Sequence, residues 1–194
     1  MTTADSMSEL LAAVPADLDG ERRTLLETLA KHRMLLRHTV AELSDADARR
    51  RPTASALTLA GLLKHVEGVE RGWVDFILTG TVEGADGWEQ AAEPGAERDD
   101  FALDDTDSDT DSDTDADTLA ALLDRYTATA ARTDELVATV DLDLSHPLPP
   151  APWFPEDMHW SARQVFAHIV GETAQHSGHA DIIRETIDGR KTMG

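Results

Sequence analysis

Toward its C-terminal end the chain reads HIVGETAQHSGHADIIRE, and helical spacing puts His168, Glu172, His176 and His179 on one face. Val165, Ile169 and Ile183 fall on or beside the same stripe, so the face is expected to turn inward. A carboxylate and several imidazoles are costly to bury unless something pairs with them. A divalent metal is an economical partner, because Glu172 and His176 stand one turn apart and project the same way. A catalytic zinc usually takes three protein ligands from His and carboxylate and keeps one position open. The third ligand must come from another helix. His65 is the candidate, since it lies three residues after Leu62 and four before Val69 on an otherwise apolar run. His65, Glu172 and His176 then form a His-His-Glu set suited to hydrolytic or Lewis-acid chemistry. Zinc is the first expectation, and nickel, iron or manganese accept similar donors. His168 and His179 are the candidate catalytic residues, either as proton acceptors or as donors that orient Glu172; His179 is also an alternative ligand. Each residue has a plainer reading, a core histidine at 65 and a surface pair at 172 and 176. Their joint placement on inward faces favours the metal.

Four long amphipathic helices are needed to hold these residues. Leu25, Leu29, Leu36, Val40 and Leu43 predict the first, from about Gly20 to Leu43, and Asp45–Arg49 reads as one short turn. The second starts near Thr58 and ends before Gly80, with Leu59, Leu62, Val66, Val69, Trp73 and Phe76 inward. The third runs from about Thr118 to Val140 on Leu119, Leu122, Leu123, Tyr126, Ala130, Leu136 and Val137. Ser161 is placed to cap the fourth, which runs to about Asp188 and stops at Gly189. The predicted fold class is all-α, a four-helix bundle with long loops. The whole chain, 1–194, reads as one such domain, with an acidic insertion expected to be disordered at about 92–117. Its core, DDTDSDTDSDTDAD from Asp104 to Asp117, lacks the glycine and closing glutamate of an EF-hand, so it reads as a solvated insertion rather than a calcium loop. The Pro-rich connection HPLPPAPWFP carries Trp153 and Phe154, which are expected to wall an apolar pocket. His32 and His38 read as helix-surface residues, and His146 and His159 lack comparable context.

Composition narrows the chemistry. The 194 residues are 41% hydrophobic and 5% aromatic, enough for a sizeable core but short of the alternating runs that strands need. A formal net charge of -21 repels phosphate backbones and anionic lipid, which argues against nucleic-acid binding. There is no cysteine, so disulfides, zinc-thiolate sites and a protein thiol nucleophile are all excluded. No Gly-rich phosphate loop and no Ser-centred nucleophile elbow appears. Without a signal segment or an apolar run long enough for a bilayer, a soluble cytoplasmic protein is the expectation.

Two segments resemble the DinB/YfiT-like family. One is TLAGLLKHVEGVERGWV in the second helix, and the other is WSARQVFAHIVGETAQHSGHADIIRETIDG in the fourth. The E-T-A-x-H-x-G-H-A-D run is most similar to an actinobacterial branch of that family. The resemblance implies metal binding through one His of the second helix and a His-x-x-x-His pair of the fourth. Glu172 stands where the first His of that pair is expected. The related mycothiol-dependent maleylpyruvate isomerases use a Glu-x-x-x-His version, so the resemblance implies the same set, His65, Glu172 and His176. It also implies a thiol-dependent transferase or isomerase using mycothiol or bacillithiol, and it is compatible with a homodimer. The expected partners are therefore a small-molecule thiol and an electrophile. Arg71, Arg163 and Arg184 are candidates for holding anionic groups. The alternatives are a metal-dependent hydrolase, in which the open position activates water, and a metal-binding stress-response bundle without turnover.

Overall fold

A computed structural model describes residues 8, 11–12, 14–15, 17–82, 85, 101, 103 and 118–192. The Asp104–Asp117 run lies outside the described residues. Among the described residues these elements follow in order: α1 (Gly20–Val40), α2 (Asp45–Ala48), α3 (Leu59–Thr79), α4 (Leu119–Thr139), β1 (Ser145–Pro147), β2 (His159–Ser161) and α5 (Ala162–Asp188). The expected all-α bundle is observed, with α1 packed on α5 and α3 packed on both α4 and α5. Among the described residues no helix is long and apolar enough to cross a membrane.

Local chemistry sets the helix ends. Asp19, Ser44, Thr58, Thr118 and Ser161 each accept a hydrogen bond from a first-turn backbone N–H, satisfying one of the donors a helix leaves over. Ser161 and Gln164 complete a reciprocal capping box. Gly80 and Gly189 close α3 and α5 in the left-handed conformation, at φ 74° and 80°. The first helix stops at Val40 rather than at Leu43. The Arg184 guanidinium explains the early stop, since it donates to the carbonyls of Thr39 at 2.8 Å and Ala41 at 2.9 Å. The chain then turns through Glu42 at φ 60°.

The small sheet was not expected from the sequence. Its strands pair antiparallel, with His146 opposite Trp160, and Leu148 N–H donates to Met158 C=O at 2.8 Å. The pairing carries the Pro-rich connection back to the bundle and delivers Trp160 to the start of α5.

The core is layered. One apolar cluster contains Leu36, Val40, Leu62, Val66, Leu122, Tyr126 and Ile183. The other contains Leu29, Trp73, Phe76, Val137, Phe166 and Ile169. Between them, along each long helix, lie buried polar residues: Arg33 on α1, Glu67 and Glu70 on α3, Thr129 and Thr133 on α4, and Thr173, His176 and Ser177 on α5. The stripes read from sequence locate the two apolar layers and, through His176, part of this polar band; the pairing of its other members was not read.

Candidate metal centre

α3 and α5 bring the predicted donors together. One ligand atom each from His65, Glu172 and His176 lies within 4.8 Å of the other two. His65 comes from the second turn of α3, fixed by the Thr58 cap and by Leu62, Leu63 and Val66 in the core. Glu172 and His176 come from the middle of α5, flanked by buried Ile169, Thr173 and Ala180. The His176 Nε2 stands 3.4 Å from Glu172 Oε2, and its ring meets His65 edge-on with centroids 4.8 Å apart.

The Glu172 carboxyl is held below its ordinary range, first by the hydrogen bond with His176, against the opposing effect of burial, and further by the charges of His168, His176 and His65. It is therefore an anion at neutral pH. Two imidazole nitrogens and a carboxylate converging in this way fit a borderline divalent ion by donor chemistry.

His168 and His179 flank the set. His168 Nε2 lies 3.8 Å from the other Glu172 oxygen, and burial pushes its pKa down, so its ring favours the neutral form. Its ring packs against both Trp73 and Trp160, 5.0 Å from each. His179 Nδ1 stands 3.4 Å from His176 Nδ1. With Nε2 of His176 turned to Glu172, its Nδ1 is the nitrogen that meets His179, the direction of that hydrogen bond following the tautomer, and the ring is held from both sides.

Three features of the site were not anticipated. Phe101 stacks on His65 at 4.1 Å and meets His176 edge-on at 5.7 Å. Its carbonyl oxygen sits where a Cβ on Gly61 would collide with it, so the glycine admits this approach. The only sequence signal was an apolar island, Phe101 with Leu103, in an acidic stretch. Secondly, the indoles against His168 are Trp73 and Trp160, 5.0 Å apart, rather than Trp153 and Phe154. Phe154 packs on the outer edge of Trp160, and Trp153 is 50% exposed. Thirdly, a cavity of about 730 Å³ opens beside His65 along α3 and α4.

The candidate arginines separate. Arg71 lines that cavity. Arg163 is engaged by Glu21 and Asp143 at the start of α5, and Arg184 is buried against Asp188 and the end of α1, so neither serves the site. Of the remaining histidines, His146 packs against Gly80 and pairs with Ile77 C=O at 3.1 Å, His159 is exposed, and His32 is half-buried on α1.

Comparison with known proteins bears on the fold and the family. A crystal structure of a conserved protein from Enterococcus faecalis shares the fold, with a TM-score of 0.58 at 18% identity, covering 89% of this chain and 99% of that one. No curated protein matches. The model of the mycothiol-S-transferase family matches residues 24–189, a span that includes all five helices from early α1 onward and every residue of the centre. The chain belongs to the mycothiol-S-transferase family.

Proposed function

We propose that the protein is a metal-dependent thiol S-transferase that joins a mycothiol-type thiol to a small electrophile. The observation that carries the reading is the convergence of His65, Glu172 and His176 in a chain with no thiol of its own. Family membership supports the thiol and the transfer. In this reading the three residues hold one divalent ion, with zinc the first choice and nickel, iron or manganese the alternatives. Such an ion supplies positive charge that lowers the pKa of an incoming thiol toward neutrality.

The chain's own residues do the rest. Glu172 brings a formal negative charge and the two histidines bring none, so an ion held here keeps net positive charge to offer a thiolate. His168 and His179 are positioning residues, the first on the free oxygen of Glu172 and the second on Nδ1 of His176. Phe101 covers one face of the His65 ring, leaving the cavity side for the reactants. Trp73 borders that side with apolar surface and keeps water from the reacting carbon. The sulfur supplies the electron pair of the new S–C bond, the thiol proton passes to solvent, and the electrophile's leaving group or displaced π pair takes up the charge.

The test is conjugate formation with mycothiol and a panel of electrophiles, using metal-loaded, chelator-treated and His65→Ala protein. Conjugation above the uncatalysed rate only in the metal-loaded form is expected. Thiol-independent hydrolysis of esters or amides instead would give the site to a hydrolase. Neither activity across the panel would leave a binding module.

A further inference from the structure

The two carboxylate oxygens of Glu172 face different partners. Oε2 is turned to His176, a member of the donor set, at 3.4 Å from its Nε2. Oε1 is turned to His168, which is outside that set, at 3.8 Å from its Nε2. The negative charge of Glu172 favours the tautomer of His168 that carries its proton on Nε2, and that tautomer presents an N–H to Oε1. At 3.8 Å the contact is longer than a hydrogen bond and imposes little direction of its own. Whatever backs the ring therefore decides where its N–H points.

That backing is aromatic and comes from two separate elements. Trp73 of α3 meets the His168 ring edge-on at 77°, and Trp160 of β2 meets it at 55°, both with centroids 5.0 Å away. Such ring pairs are orientation-dependent. Turning the imidazole about its bond to Cβ gives up the edge-on contact as well as the approach to Oε1. Trp160 is itself pinned through its main chain. It pairs with His146 in the sheet and stands one residue before the Ser161 cap of α5. Just beyond it, the Ala162 and Arg163 N–H groups donate to the Leu144 and Leu142 carbonyls at 2.8 and 3.1 Å. Phe154 of the Pro-rich connection packs on its indole at 5.5 Å. Direct contacts thus run from that connection to the metal-ligand set through Phe154, Trp160, His168 and Glu172.

Resting on the metal-dependent transferase reading, we propose that Trp160 is a positioning residue: with Trp73 it holds His168 against Oε1, so that Glu172 offers the ion one oxygen and a coordination position stays free for the thiol. A carboxylate that gives both oxygens fills two positions. With two imidazoles it would complete a four-fold set and close the site. Giving one oxygen, it leaves three protein donors and the open position that a catalytic zinc keeps.

The test reads coordination as well as activity. Cobalt(II)-loaded protein is titrated with 2-mercaptoethanol, and thiol binding is followed by sulfur-to-cobalt charge-transfer absorption. Trp160→Leu and His168→Leu should keep stoichiometric cobalt but bind the thiol several-fold more weakly, with KM for the thiol rising more than kcat falls. Trp160→Phe, which keeps a ring, should stay near wild type. The Trp160→Leu/His168→Leu double variant should be no weaker than either single one, because the indole acts through the imidazole. Crystal structures of the zinc-loaded proteins should show one Glu172 oxygen on the ion in wild type and both in Trp160→Leu. Trp160→Met, with bulk but no ring, takes its place if Trp160→Leu does not fold. Unchanged thiol affinity in the Trp160 and His168 variants would overturn the inference. So would additive losses, or a single Glu172 oxygen on the ion in the Trp160 variant. Wild type that takes up no stoichiometric cobalt would reject the metal reading and this inference with it. The expected ranking of thiol affinities without conjugation of any electrophile would uphold the role of Trp160 and reject the transferase.

Discussion

Two charged clusters share the polar band of this bundle, and they are finished differently. On the α1–α3–α4 side, Arg33 bridges Glu70 through a two-pronged ion pair and reaches Asp134 at 2.7 Å, while Thr133 donates to Glu70 at 2.6 Å. Burial alone would lower the Arg33 pKa, but Glu70 and Asp134 outweigh it and the net shift is upward. Each of these charged groups has its partner within the protein. On the α3–α5 side, Glu172 faces His65, His168 and His176, with no lysine or arginine in the set. A buried cluster that closes on itself holds the fold together. A cluster of two imidazoles and a carboxylate is, in the reading proposed above, a place for a metal cation. The two differ in burial as well as in charge set: the Arg33 and Glu70 side chains are 6% and 1% exposed, that of Glu172 26%.

The sharpest way to break that comparison is to truncate Arg33. Glu70 is fully buried, and Arg33→Ala leaves its carboxylate uncompensated, a loss of about 3–5 kcal/mol for such pairs. Chemical denaturation of metal-free protein should show a midpoint well below wild type, and the Arg33→Met/Glu70→Leu double variant should recover much of the loss. In the same assay Glu172→Gln should cost far less. If Glu172→Gln proved the more damaging of the two without metal, the division of roles would be wrong.

The next effect is on metal. His176→Ala should abolish stoichiometric metal in elemental analysis of protein purified without chelator, while Arg33→Met/Glu70→Leu should retain it. Added zinc should raise the melting temperature of wild type and not of His176→Ala, because only a folded site binds. Equal metal content in the two variants would remove these ligands from the assignment. The pH dependence has a definite sign. Imidazole binds metal only when neutral, and Glu172, held below the ordinary carboxylate range, stays ionised after the histidines begin to protonate. Metal should therefore be lost on acidification as the histidine ligands protonate, and full retention down to pH 4 would contradict the histidine ligands.

These two clusters were not equally legible in the sequence. The metal set announced itself through Glu172 and His176 one turn apart and His65 within an apolar run. Helix limits could be read because their caps, Thr58, Thr118, Ser161, Gly80 and Gly189, act within a single turn. Arg33 and Glu70 also occupy inward positions, Arg33 between Leu29 and Leu36 and Glu70 between Val66 and Trp73. Their pairing spans 37 residues, and long-range partners leave no mark in local periodicity. The early end of α1 was hidden for the same reason, because its cause, Arg184, arrives from 143 to 145 residues away. The β1–β2 pairing, only three residues a side, lay below what alternation can signal.

The smallest expected effect concerns how the open cluster is bounded. Phe101 is held from two sides, its ring on His65 and its carbonyl against Gly61. Phe101→Ala removes one aromatic stack, worth about 0.5–1.5 kcal/mol, and touches no donor atom. Metal stoichiometry should stay at one, while the zinc Kd should rise by a few-fold as His65 loses its backing. Gly61→Ala approaches the same contact from the helix, since the added methyl must push the Phe101 backbone away. Part of its effect falls on the Thr58 cap, whose hydroxyl accepts from Gly61 N–H at 3.0 Å. Its influence on zinc affinity, however, should be the same as that of Phe101→Ala, and the double variant should be no weaker in zinc binding than either single one. Titration with a competing chelator measures all three. Additive losses would mean that Gly61 and Phe101 act separately, and that the closed side of the site is built by something other than this contact.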